Sequence, residues 1–131
     1  MTRSVMNQSG RIIPAAMTIA GSDSGAGAGV QADLKTFAAL GIYGTSVLTA
    51  ITAQNTIAVM SVHELPTDVI NAQIEAVISD IGADAVKTGM LSSSVIIECV
   101  TTCLKASMKK YPNMPGLRQI VVDPVMVAET T

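Results

Sequence analysis

Aromatic side chains are almost absent from these 131 residues: Phe37, Tyr43 and Tyr111 are the whole set, 2% of the chain, and there is no Trp. With 8 Lys+Arg against 10 Asp+Glu and no basic cluster, the net charge is −2. Neither a phosphate-tracking surface nor a base-stacking platform can be built from that inventory, so no nucleic-acid partner is expected. Charge is also scarce, at 14%, and no Asp, Glu, Lys or Arg occurs across residues 36–63. That stretch is nevertheless interrupted by Gly41, Gly44, Thr45, Ser46, Thr49, Thr52, Gln54 and Asn55. No run approaches the ~20 apolar residues of a spanning helix, and no membrane partner is expected. Cysteine is limited to Cys99 and Cys103 and histidine to His63, too few to complete a metal set. The two cysteines lie four apart in a helical pattern and share a face, where a buried, reduced pair is expected. Residues 1–14 form a polar tail with no apolar signal core, so a cytoplasmic location is expected and organelle import is left open.

What remains is 49% hydrophobic, a composition that folds around a core, and the length suggests one domain, residues 15–131. Residues 15–20, Ala-Ala-Met-Thr-Ile-Ala, read as a short buried strand, halted by the glycine-rich run 21–29. Val30, Leu34, Phe37 and Leu40 then recur at helical spacing, with Gly41 placed as the C-terminal cap. Residues 47–52 and 57–62 read as strands. Pro66 opens a helix whose stripe is Val69, Ile70, Gln73, Ile74, Val77, Ile78 and Ile81, closed by Gly82. A brief strand at 85–87 precedes a third helix, 92–110, whose last turn collects lysines. Residues 119–123 read as a buried strand ending at Pro124. Alternation of strand and helix implies βαβ units and a mainly parallel sheet covered by helices.

In such sheets ligands sit beyond the carboxyl ends of the strands, which makes four exits candidates: 21–29, Gln54-Asn55, Thr88-Gly89-Met90 and Asp123-Pro124. The first offers close backbone approach and amide N–H groups at a helix N-terminus, suited to an anion or a polar ring, or simply a tight turn. Gly27-Ala28-Gly29-Val30-Gln31-Ala32 fits G-x-G-x-x-A, but it lies too far from its strand and no acidic residue follows the second strand to hold a ribose. No Gly-Lys-Ser/Thr exists for a P-loop.

Asp33 sits about 60° from Val30 and about 40° from Phe37 around the helix, bordering the apolar stripe, where either a ligand or the helix dipole accounts for it. Gln54 carries donor and acceptor for a heteroaromatic edge. Met90 is either a soft lid on a ring or core filling. Lys87 reads as a solvated strand-end lysine. Asp123 suits a carboxylate facing phosphate-bound metal, or an ordinary turn start. His63 has no partner for a triad and receives no role.

These residues closely resemble the hydroxymethylpyrimidine and phosphomethylpyrimidine kinases of thiamine biosynthesis, in the ribokinase-like superfamily. The resemblance spans residues 17–128. Its most specific parts are the run from Ala20-Gly21-Ser22-Asp23 to Ala32-Asp33-Leu34-Lys35, Ala53-Gln54-Asn55-Thr56, Lys87-Thr88-Gly89-Met90-Leu91 and Val121-Val122-Asp123-Pro124-Val125-Met126. It implies a three-layer α/β/α fold with a mainly parallel sheet, and a pyrimidine held at Gly21, Asp33, Gln54, Met90 and Val125. It places Asp123 on the nucleotide side, near ATP and Mg²⁺, with no metal ligated directly.

Family members are about twice this long. The resemblance therefore implies that the Gly-Thr-Gly-Cys anion hole and most ATP contacts lie outside these residues, so the catalytic residues are not identified here. The function implied is phosphorylation of 4-amino-5-hydroxymethyl-2-methylpyrimidine and then of its monophosphate. The alternatives are a non-catalytic pyrimidine-binding or partner-binding remnant and a pyridoxal-type vitamin kinase, which Gln54 argues against; a nicotinamide dehydrogenase comes last. A sheet interrupted midway exposes a strand edge, so a homo-oligomer formed across it is expected.

Overall fold

The structure, a computed structural model, describes residues 4–125. Five strands form one sheet in the order β3-β2-β1-β4-β5. β1 (Ala15–Asp23) is central and pairs in parallel with β2 (Tyr43–Gln54) and β4 (Ala85–Thr88). β3 (Val59–Glu64) turns back antiparallel to β2 at one edge, and β5 (Ile120–Val122) lies parallel to β4 at the other. Helices α1 (Gly29–Ala39), α2 (Thr67–Asp80) and α3 (Ser94–Lys110) connect them.

Alternate side chains of β1 identify the layers. Met17 and Ile19 are fully buried in one core with Ile70, Ile74 and Ile78 of α2 and Ile96, Val100 and Leu104 of α3. Thr18, between them, points to the other face and donates its hydroxyl to Asp33 of α1. One face therefore carries α2 and α3 and the other carries α1, the expected three-layer α/β/α arrangement. A strand covered on both sides reads as a continuous apolar run, which is why residues 15–20 are legible without alternation. Gly44 lets α1 lie close on β2, because a Cβ there would stand 2.7 Å from a methyl of Leu34 and 3.0 Å from the Phe37 ring.

Several expectations need correction. Leu40 and Val69 are exposed, at 70% and 41%. Leu40 is the residue after the last turn of α1, and Val69 lies about 100° off the line of Ile70, Ile74 and Ile78. The segment before β1 is not a featureless tail. Met6 bridges Ile12 in antiparallel fashion, around a turn held by the Asn7 side chain, which accepts from the Ser9 and Arg11 amides. β5 is shorter than expected and exposed, with Val121 and Val122 both at 64%, and among the described residues it pairs with β4 alone. The cysteines are half-buried and free rather than fully buried.

Between the two helices of the larger layer, the Glu75 carboxylate accepts from Lys110 and from the Tyr111 hydroxyl. The Lys110 hydrogen bond, then the Tyr111 one, holds Glu75 below its ordinary 4.5, and the same contact holds Lys110 above 10.5. A depressed carboxyl contributes stability above its unfolded value and loses it as pH falls through the folded one. A raised lysine contributes below its unfolded value and loses it as pH climbs through the folded one. Both partners are largely exposed, so the effect is small. Melting temperatures of the parent and Glu75→Gln should differ slightly at pH 7 and converge as pH drops below 4.5. A gap that persists in acid would show that the ion pair is not its source.

Candidate active site

A cleft of about 100 Å³ opens across the carboxyl ends of β1, β2 and β4, lined by Gly21, Ser22, Asp23, Gly29, Thr52, Gln54, Lys87, Gly89, Met90 and Val125. Opposite Gly21 the β1–β2 register shifts: Ala20 pairs with Leu48 but Ser22 with Ile51, so β2 carries one extra residue between them. Such bulges bend a strand and re-aim its exit. A Cβ at Gly21 would come within 3.1 Å of the Met90 methyl, so the two define one wall. At Gly29 the constraint is stricter. Its φ is +61°, and a Cβ would stand 2.4 Å from the Gly21 carbonyl oxygen, so only glycine lets α1 start directly against the end of β1.

The loop between β1 and α1 differs from its sequence reading. The expected open amides are taken by Asp23, which is buried and accepts from the N–H groups of Gly25 at 2.7 Å, Gly27 at 2.9 Å and Ala28 at 2.8 Å. Its charge sits where the helix dipole favours an anion, so the site supplies its own anion. Gln31 clamps the same loop, donating to the Ser22 hydroxyl and accepting from the Asp23 amide. Ser24 joins it to β2, donating to the Gln54 carbonyl and accepting from the Gln54 amide. The Thr52 hydroxyl gives its one proton chiefly to the Ser22 carbonyl at 2.7 Å and lies 3.3 Å from the side-chain oxygen of Gln54, which lines the cleft.

Of the residues singled out from sequence, Gly21, Gln54, Met90 and Val125 meet around this one cleft. Asp33 and Asp123 are not among its lining residues; both reach it through Lys87. The Lys87 ammonium is 2.8 Å from the Asp33 carboxylate, which also accepts from Thr18 at 2.6 Å, and 3.9 Å from Asp123. Lys87 and Asp33 keep only 22% and 18% of their side chains exposed, so this is not a solvated lysine. Asp33 also lies beyond the first turn of α1, which contains no acid, so the dipole explains little of its position. Asp123 is exposed at 57%. Among the described residues no three His, Cys, Asp or Glu side chains gather to hold a metal ion. No described helix is long and apolar enough to cross a membrane.

Sequence reading gave no role to Asp23 or Gln31 and read Lys87 as solvated. For Asp23 a signal existed, because Asp followed by Ser-Gly is the pattern of a side chain bonding its own backbone two residues on. Lys87 had none, since its partner is 54 positions away.

An open, mainly parallel α/β sheet with a small, partly polar cleft at its strand exits defines a small-molecule-binding domain. Residues 23–131 match the family model described as phosphomethylpyrimidine kinase, and the chain belongs to that family. It is 52% identical, over 121 residues, to a chloroplastic thiamine biosynthetic bifunctional enzyme of Arabidopsis thaliana, covering 92% of this chain and 22% of that one. The solved phosphomethylpyrimidine kinase of Clostridium difficile superimposes with a TM-score of 0.77 at 52% identity, over 88% of this chain and 47% of that one. A pyridoxal kinase of Staphylococcus aureus, solved with pyridoxal, gives 0.72 at 45%, over 89% and 41%. The chain thus spans less than half the length of each of these relatives.

Proposed function

We propose that this chain forms the ring-binding part of an ATP-dependent phosphotransferase that acts on 4-amino-5-hydroxymethyl-2-methylpyrimidine and its monophosphate. The observation that carries the reading is the convergence of Gly21, Gln54, Met90 and Val125 on one cleft, within a chain of the phosphomethylpyrimidine kinase family. A neutral heteroaromatic ring needs an amide for its polar edge and soft apolar groups for its faces. Gln54 provides the first, Met90 and Val125 the second. ATP and Mg²⁺ are the phosphoryl donor and the metal that membership of a kinase family implies. Asp123, exposed beside Lys87, is the carboxylate on that side. The cytoplasm is the proposed location and a homo-oligomer the proposed assembly.

The test is a chimera in which residues 17–125 replace the matching segment of the Clostridium difficile kinase. With ATP and Mg²⁺ it should phosphorylate the hydroxymethylpyrimidine, followed by mass spectrometry, and prefer it to pyridoxal. Pyridoxal turnover alone would favour the second reading, which the likeness to solved pyridoxal kinases supports. In the same chimera, Gln54→Ala should weaken pyrimidine binding about tenfold, about 1.4 kcal/mol, because polar ring atoms lose their partner. Unchanged affinity by calorimetry would remove Gln54 from the ring site.

A further inference from the structure

On the face remote from the cleft, α2 and α3 enclose an open groove lined by Asn71, Glu98, Cys99, Thr102 and Cys103, among others. Cys99 and Cys103 are one helical turn apart on α3, so both thiols project to the same side. They converge on a single acceptor: the Asn71 side-chain oxygen takes a hydrogen bond from Cys99 at 3.3 Å and another from Cys103. Cys99 also lies 3.6 Å from the Thr67 carbonyl. Both thiols are free and partly accessible. Burial pushes both upward in pKa, with Cys99 and Glu75 adding to the effect at Cys103. No part of the proposed kinase chemistry uses the pair.

We propose that this dithiol is a binding site for a soft, monovalent, two-coordinate cation of the copper(I) or silver(I) type. Two thiolates converging from one helical face supply the pair of soft sulfur donors that such ions select over hard cations. Binding replaces two S–H bonds by two sulfur–metal bonds and releases two protons, with no change in oxidation state. The Asn71 oxygen, freed of both thiol donors, remains beside the ion.

Silver(I) is the probe, titrated into the 131-residue chain and followed by native mass spectrometry with a monothiol competitor present. The parent should hold one silver ion per chain. Either Cys99→Ser or Cys103→Ser should lose at least a hundredfold in affinity, because the second sulfur acts at the high effective concentration of an intramolecular ligand. Serine retains a donor for Asn71, and unchanged circular dichroism will show that each variant is folded. A parent that binds no silver ion against the competitor, or a single-cysteine variant that binds as tightly as the parent, would overturn the proposal.

Discussion

Replacing Asp23 with Ala is expected to cost about 3 kcal/mol of folding stability, a shift of over a hundredfold in the ratio of folded to unfolded chain. Three backbone donors, from Gly25, Gly27 and Ala28, point at this one carboxylate, which is 5% exposed. A hydrogen bond to a charged group contributes about 1.5–3 kcal/mol. The loop that carries the three donors is itself mostly exposed, so water takes over part of their satisfaction, and the total falls below the sum of three such bonds. Asp23→Asn should cost about half as much. One oxygen accepts from Gly27 and Ala28, and an amide oxygen can keep both, whereas its NH₂ faces the Gly25 donor without complement. Urea denaturation gives the comparison, with the slope unchanged if the denatured state is unaffected. A loss under 1 kcal/mol for Asp23→Ala would mean that the loop is held by Gln31 and Ser24 alone.

The same loop explains how far sequence reading reached. Its position was legible to within three residues: the strand expected to stop at Ala20 runs on through Asp23, and the helix begins at Gly29, the last of the nine glycine-rich positions. Its chemistry was not, because glycine-rich segments advertise open amides, and whether a neighbouring carboxylate consumes them depends on a fold of five residues that composition does not encode. Helix faces were read well where one stripe meets one core, as at Ile70, Ile74 and Ile78. They were over-read at Leu40 and Val69, which continue an apolar pattern beyond the reach of any facing element. β5 shows the limit most clearly: Ile120, Val121 and Val122 have the composition of a doubly covered strand, yet coverage is a property of the neighbours. In the cleft, Gln54 and Met90 were accessible to inference as strand-exit residues. Their common ground with Asp33 was hidden, because it passes through Lys87, which sits on another strand.

That lysine sets the final expectation. If Asp33 served only the helix dipole, Asp33→Asn would cost about 0.3–1 kcal/mol and would be independent of residue 87. The structure instead makes Asp33 half of an ion pair at 2.8 Å, with the Thr18 hydroxyl as its second donor. Both side chains are mostly shielded from water, so removing one partner strands the other charge in a poor solvent. Lys87→Met should therefore destabilise the chain by about 2 kcal/mol, discounted from the fully buried case because each group retains some exposure. The double variant Asp33→Asn/Lys87→Met should recover at least 1 kcal/mol of that loss, a coupling only a direct pair produces. Function should follow the same order in the chimera. Lys87→Met leaves Asp33 uncompensated beside the cleft and releases Asp123, and turnover should fall at least tenfold; neutralising Asp33 as well should restore ring affinity more than it restores turnover, since Asp123 still lacks its cation. Denaturation and steady-state kinetics on the four members of the cycle decide the matter, and strictly additive stabilities would return Asp33 to the dipole.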